Sequence, residues 1–138
     1  MFLYPRLLKQ CDKGRNTPYF SLLLSFAFYR DAPRFATDNG YTGIVIVNLF
    51  AFRATKPKDL FSANDPVGPM NELHISEQTI QKDVCCAWGA NAPPDRVQTV
   101  KNVLAYSEAN TLCLGITKSG APRHPLYVIA NQKLVNYC

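Results

Sequence analysis

Apolar positions along this chain fall into short blocks, separated by polar stretches that carry Pro and Gly. The clearest block is Ile44-Val45-Ile46-Val47-Asn48-Leu49-Phe50. Its β-branched residues follow one another without a polar alternate, as in a parallel strand covered on both faces. Val84-Cys85-Cys86-Ala87-Trp88-Gly89 reads as a second buried strand, and Thr111 to Thr117 as the last core strand. Phe20 to Phe28 is a further apolar run, too short for periodicity to separate a buried strand from a short helix. Residues 1–19 mix Lys, Arg, Gly and Pro with apolar residues and read as loop or terminus.

Helical signals lie between these blocks. Ala32 to Asp38 predicts a short helix that Asn39-Gly40 stops, since Gly suits the left-handed position after a helix. Arg53 to Pro69 reads as a long loop. Pro69 suits the start of a helix whose shared face would be Met70, Leu73, Glu77, Ile80 and Val84. Pro93-Pro94-Asp95 opens another, with Val97, Val100, Leu104 and Ser107 facing inward. Tyr127 to Ile129 and Leu134-Val135 are candidates for a short edge element. Strands and helices that alternate in this way predict an α/β fold in three layers, α/β/α, around a mostly parallel sheet of about four strands.

A length of 138 residues points to one domain, and 47% hydrophobic residues can fill its core. Lys and Arg outnumber Asp and Glu by 15 to 10, for a net charge of +5. That surplus favours phosphates and polyanions, although an ordinary basic surface explains it equally well. Five cysteines at irregular spacing form neither a disulfide framework nor a zinc motif, and Cys85 and Cys113 read as small core residues. No apolar run reaches the roughly 20 residues of a membrane span. The expectation is a soluble cytoplasmic protein with no membrane partner, no metal and no cofactor. GxGxxG, P-loop and GxSxG motifs are absent.

Parallel sheets bind ligands beyond the carboxyl ends of their strands. The chain sends to that edge Asn48 and Arg53 with Lys56 and Lys58, then Trp88-Gly89-Ala90-Asn91, then Thr117-Lys118-Ser119-Gly120 and Arg123-His124. Lys118 and Arg123 can grip phosphate, Gly89 and Gly120 permit close backbone approach, and Asn48 and Asn91 can read polar edges. Trp88 reads as core more readily than as a stacking surface. His124, between Arg123 and Pro125, is the candidate for proton chemistry near neutral pH. His74 reads as helix surface.

Several stretches together resemble a family of bacterial and phage proteins of unknown function. They are Val47 to Thr55, Pro57-Lys58-Asp59-Leu60, Asp65 to Pro69 with Asn71, Ala87-Trp88-Gly89, Leu114 to Lys118 and Pro122 to Tyr127. The match runs over about residues 34–138 and sets off 1–33 as a divergent segment, with a first strand at 20–28. That family in turn resembles the uracil-DNA glycosylases. The second resemblance implies a uracil-DNA-glycosylase-like fold and a pocket for a nucleotide, nucleobase or nucleic acid. It also implies chemistry at an N-glycosidic bond, with Asn48 recognising a base and His124 stabilising the leaving group. The first motif departs from the pattern: Phe26 to Pro33, with Asp31, stands where the family has an Asn-Pro-Ser-type turn. Two other readings therefore stand beside that one. One is a non-catalytic nucleic-acid-binding protein, and the other is a structural domain that self-associates through an exposed sheet edge.

Overall fold

The computed structural model describes residues 6–7, 19–24, 32–54, 56–129 and 131–137. A six-stranded sheet forms the centre. Its strands are β1 (Arg6–Leu7), β2 (Tyr19–Leu24), β3 (Gly43–Asn48), β4 (Asp83–Cys86), β5 (Asn110–Cys113) and β6 (Val135–Asn136). Their spatial order is β1-β3-β2-β4-β5-β6. The four inner strands are parallel, and the two short edge strands run antiparallel to their neighbours. The helices are α1 (Ala32–Asp38), α2 (Pro57–Phe61), α3 (Asn71–Thr79) and α4 (Pro94–Tyr106), with a 3-10 turn at Pro125–Tyr127.

The continuous apolar run of β3 has its physical reason in two separate cores. Ile44 and Ile46 pack with Phe35 and Ala36 of α1, and with Cys85 and Ala87. Val45 and Val47 pack on the opposite face with Ile75 of α3 and with Val100 and Leu104 of α4. Helices thus cover both faces, and the fold is α/β. Burying each such Ile or Val stabilises it by about 1.5–3 kcal/mol. The connection after β2 runs through α1 on one face, and the connections after β3 and β4 run through the other. The crevice of the sheet therefore opens between the carboxyl ends of β2 and β4.

Several elements differ from the sequence expectation. Arg6–Leu7 adds an edge strand where a loop is expected, and Tyr19–Leu24 is a central strand. Residues 25–31, including Asp31, lie outside the described residues, as do Cys11 and Cys138. Inside the expected long loop, Pro57 starts the short helix α2, which buries Leu60. The expected inner face of α3 is wrong: Met70, Leu73 and Ile80 are exposed, and Asn71, Ile75 and Thr79 are buried. Strand β5 stops at Cys113, because Gly115 takes φ +92 and turns the chain. Cys85, Cys86 and Cys113 are buried and free, and burial pushes the Cys85 and Cys86 thiols well up.

What rotates α3 is a side chain. Asn71 donates Nδ2 to the carbonyls of Asn48 (3.1 Å) and Leu49 (2.9 Å), where β3 has left the sheet ladder. Arg96 of α4 donates Nε to the same Leu49 carbonyl at 2.6 Å. It is 5% exposed, and its Nη1 pairs with Glu72. Arg96 extends the Val100–Leu104 stripe by one turn and enters the core, whereas Val97, expected on the inner face, is only partly buried.

Replacing Arg96 with Met keeps most of the bulk and removes the donors. Urea titration is expected to show a loss of about 2–3 kcal/mol, the scale of a buried charge-assisted hydrogen bond. Glu72→Gln, altering a partner that is 41% exposed, should cost less than about 1 kcal/mol. Equal losses would place the stabilisation in the ion pair instead of the carbonyl bond.

Candidate functional site

A cavity of about 620 Å3 opens at the carboxyl edge of the sheet. That volume lies in the range of small-molecule sites. Three connections build it. The first, after β3, contributes Pro57 and Phe61. The second, after β4, contributes Trp88, Gly89, Ala90 and Asn91. The third, after β5, contributes Thr117, Lys118, Arg123 and His124, followed by Leu126 and Tyr127. The walls are mainly apolar, the lip carries two cations, and no carboxylate lines the cavity among the described residues.

The connection after β5 folds back on itself as a small hairpin. Ile116 bridges Pro122, the Thr117 amide donates to the Ala121 carbonyl (2.8 Å) and the Arg123 amide to the Gly115 carbonyl (2.9 Å). At the turn the Gly120 amide donates to the Thr117 carbonyl (3.0 Å), with Gly120 at φ +81. Lys118 sits at this tip. Arg123 crosses Gly115 and donates Nε to the Ile116 carbonyl at 3.3 Å.

The hairpin is locked to the connection after β4. The Gly89 amide donates to the Pro122 carbonyl at 3.0 Å. Gly89 has φ +78, and a Cβ there would lie 3.5 Å from the Cβ of His124. That distance is ordinary contact, so it is the left-handed backbone that calls for glycine here.

His124 is 8% exposed and caps the 3-10 turn. Its Nδ1 accepts the Leu126 amide at 3.2 Å. An accepting Nδ1 carries no proton, so the neutral ring holds its proton on Nε2. Nε2 is buried and has no hydrogen-bond partner. Burial also pushes the imidazole pKa below its ordinary 6.5, so the ring is neutral at pH 7. The side chain is thus a neutral ring with one unpaired N–H.

The other expected site residues divide. Trp88, Gly89, Asn91, Lys118, Arg123 and His124 come together around the cavity. Trp88 is 3% exposed and packs edge-on against Tyr137 (5.8 Å), so it belongs to the core and lends the cavity only a margin. Asn48 ends β3 with its Oδ1 buried and unpartnered, but it does not line the cavity. Arg53 is exposed and outside it, and Gly120 shapes the hairpin without lining it. His74 lies on α3, 3.7 Å from Glu77. The residues missed from sequence are Pro57, Phe61 and Tyr127. The pair Lys56-Pro57, a proline poised to start a helix, is the signal that could have revealed the first two. No group of three metal-ligating side chains occurs among the described residues, and no helix among them is long and apolar enough to cross a membrane.

A family model described as a protein of unknown function (DUF1643) matches residues 29–126. No curated protein and no solved structure matches the chain.

Gly89→Ala is expected to cost about 1–2 kcal/mol in chemical denaturation, the cost of a left-handed residue with a Cβ. A second outcome concerns pH. The unfolded imidazole binds its proton near 6.5 and the folded one only at lower pH, so between those values the unfolded state holds more protons. His124 therefore contributes stability that is present above about 6.5 and lost as pH falls below it. Thermal melts of His124→Gln should show less acid destabilisation than the parent over that window. Equal acid sensitivity would assign it to other groups.

Proposed function

We propose that this chain, which belongs to the DUF1643 family of proteins of unknown function, binds a nucleotide or a nucleobase-bearing nucleic acid in the cavity at the carboxyl edge of its sheet. One observation carries the reading: the unpartnered Nε2–H of neutral His124 in an apolar cavity whose lip is cationic. A nucleobase supplies a flat apolar body and a carbonyl acceptor. Its phosphate supplies the anion that Lys118 and Arg123 suit. The lack of a lining carboxylate among the described residues removes the main repulsion an anion would meet. The resemblance to uracil-DNA glycosylases points the same way.

The same donor favours a second, catalytic reading at an N-glycosidic bond. When that bond breaks, negative charge grows on the base oxygens. A fixed neutral donor aimed at such an oxygen stabilises the transition state more than the ground state. Asn48 also holds a buried unpaired oxygen, but it lies outside the cavity lining, so the catalytic reading rests on His124.

A salt-titrated binding assay tests the first reading, with labelled nucleotides and single- and double-stranded oligonucleotides with and without uracil. Affinity should fall as salt rises. Arg123→Ala should weaken binding by about tenfold and reduce the salt slope by about one. Binding without salt dependence, or unchanged in Arg123→Ala, would sink the assignment. If base release is detected, His124→Ala should lower turnover about 100-fold and binding much less.

A further inference from the structure

A second cavity, of about 410 Å3, adjoins the first. The two share one wall, Phe61 of α2, which is 55% exposed and meets Phe50 edge-on at 6.0 Å. The other apolar walls of the second cavity are Pro66, Val67 and Pro93. Arg96 lines it as well. Its Nε and Nη1 are committed to Leu49 and Glu72, but its Nη2 is buried and has no partner. Helix α4 begins beside this guanidinium, with Pro93 at its cap and no side chain accepting from its first amides. One end of this apolar cavity therefore carries a buried, unpaired guanidinium donor, and such a donor stays costly until an acceptor fills the place.

Charge selects the kind of acceptor. Glu72 and Asp95 line this cavity against the single charge of Arg96, so an anion is repelled and a neutral carbonyl is not. The short element between the cavities has the opposite character. Lys56 and Lys58 are exposed on and beside α2, the helix that carries Phe61, and outnumber its one exposed carboxylate, Asp59. A phosphate passing over that wall meets cations, and a flat ring with a carbonyl fits the space behind it.

We propose that the second cavity is a subsite for a neighbouring nucleobase, so that the ligand is a strand of at least two nucleotides, not a free nucleotide. The first base occupies the His124 cavity, Phe61 stands between the bases, and the linking phosphate crosses α2. The proposal rests on the nucleotide reading of the first cavity.

Calorimetric titration of the full chain with a mononucleotide, a dinucleotide and a dinucleotide abasic at its second position tests it. The dinucleotide is expected to bind about tenfold tighter than the mononucleotide, since one stacked base contributes on the order of that factor. The abasic analogue should show little of the gain. Thr99→Trp alters an exposed residue of α4 at the rim of the second cavity. It should return the dinucleotide to the mononucleotide level and leave mononucleotide affinity unchanged. A mononucleotide that binds as well as the dinucleotide would overturn the subsite and leave the first cavity's assignment standing. So would an abasic analogue that keeps the gain, or a gain that survives Thr99→Trp. Failure of every nucleotide to bind would overturn both.

Discussion

The carbonyl oxygen of Leu49 is the point on which the architecture turns. Here β3 leaves the sheet, and its last carbonyls lose their ladder partners inside a core from which water is excluded. An unpaired buried carbonyl costs about 1–3 kcal/mol. The chain meets that cost with side chains from two different helices, Asn71 of α3 and Arg96 of α4. Because both converge on one strand end, the rotation of α3 and the depth of α4 are fixed together. The carbonyl of Asn48, which Asn71 also holds, is fixed with them. Placing a guanidinium in the core would be prohibitive alone, but Glu72 and the Leu49 carbonyl offset most of its desolvation.

The other side of the crevice is held by a separate device. The hairpin after β5 is short, and the Gly89 amide bonds it to the connection after β4. That amide-to-carbonyl contact joins two connections that follow different strands, and it brings the backbone of one against the His124 side chain of the other. Position 89 is thus constrained by its left-handed φ, which favours glycine, and the Trp88 before it anchors the turn in the core by packing on Tyr137.

These two devices explain what could be read in the sequence. The inner strands were legible because burial on both faces leaves an unbroken apolar run, and Ile44 to Val47 show it plainly. The gathering of Trp88, Gly89, Asn91, Lys118, Arg123 and His124 was legible because parallel strands deliver their following loops to one edge. The face of α3 was not. Its periodic apolar residues, Leu73 and Ile80, lost to one amide whose partners lie 22 and 23 residues away. Arg96 was hidden for the same reason, since its carbonyl partner is 47 positions distant. Period reports which face is greasy, but it does not report a hydrogen bond across the fold. The end of β5 is not legible, because Gly115 sits inside an apolar run, whereas its positive φ makes it the corner of the hairpin.

The chemistry open to His124 follows from the same accounting of backbone groups. Burial disfavours the imidazolium and keeps the ring neutral, and the Leu126 amide on Nδ1 then sets the tautomer with the proton on Nε2. A histidine in that state cannot accept a proton through the nitrogen left without a partner. In that tautomer the nitrogen left without a partner is a donor and not a base. Protonation of Nδ1 would bring two N–H donors together at 3.2 Å and would uncap the Pro125–Tyr127 turn, so acid offers no second mode. What remains is donation, to a resting carbonyl or to an oxygen gathering charge. The same feature suits both, because the donor is fixed before the ligand arrives and nothing need reorganise around it. On the proposed reading, the protein brings the hydrogen and the ligand brings the oxygen.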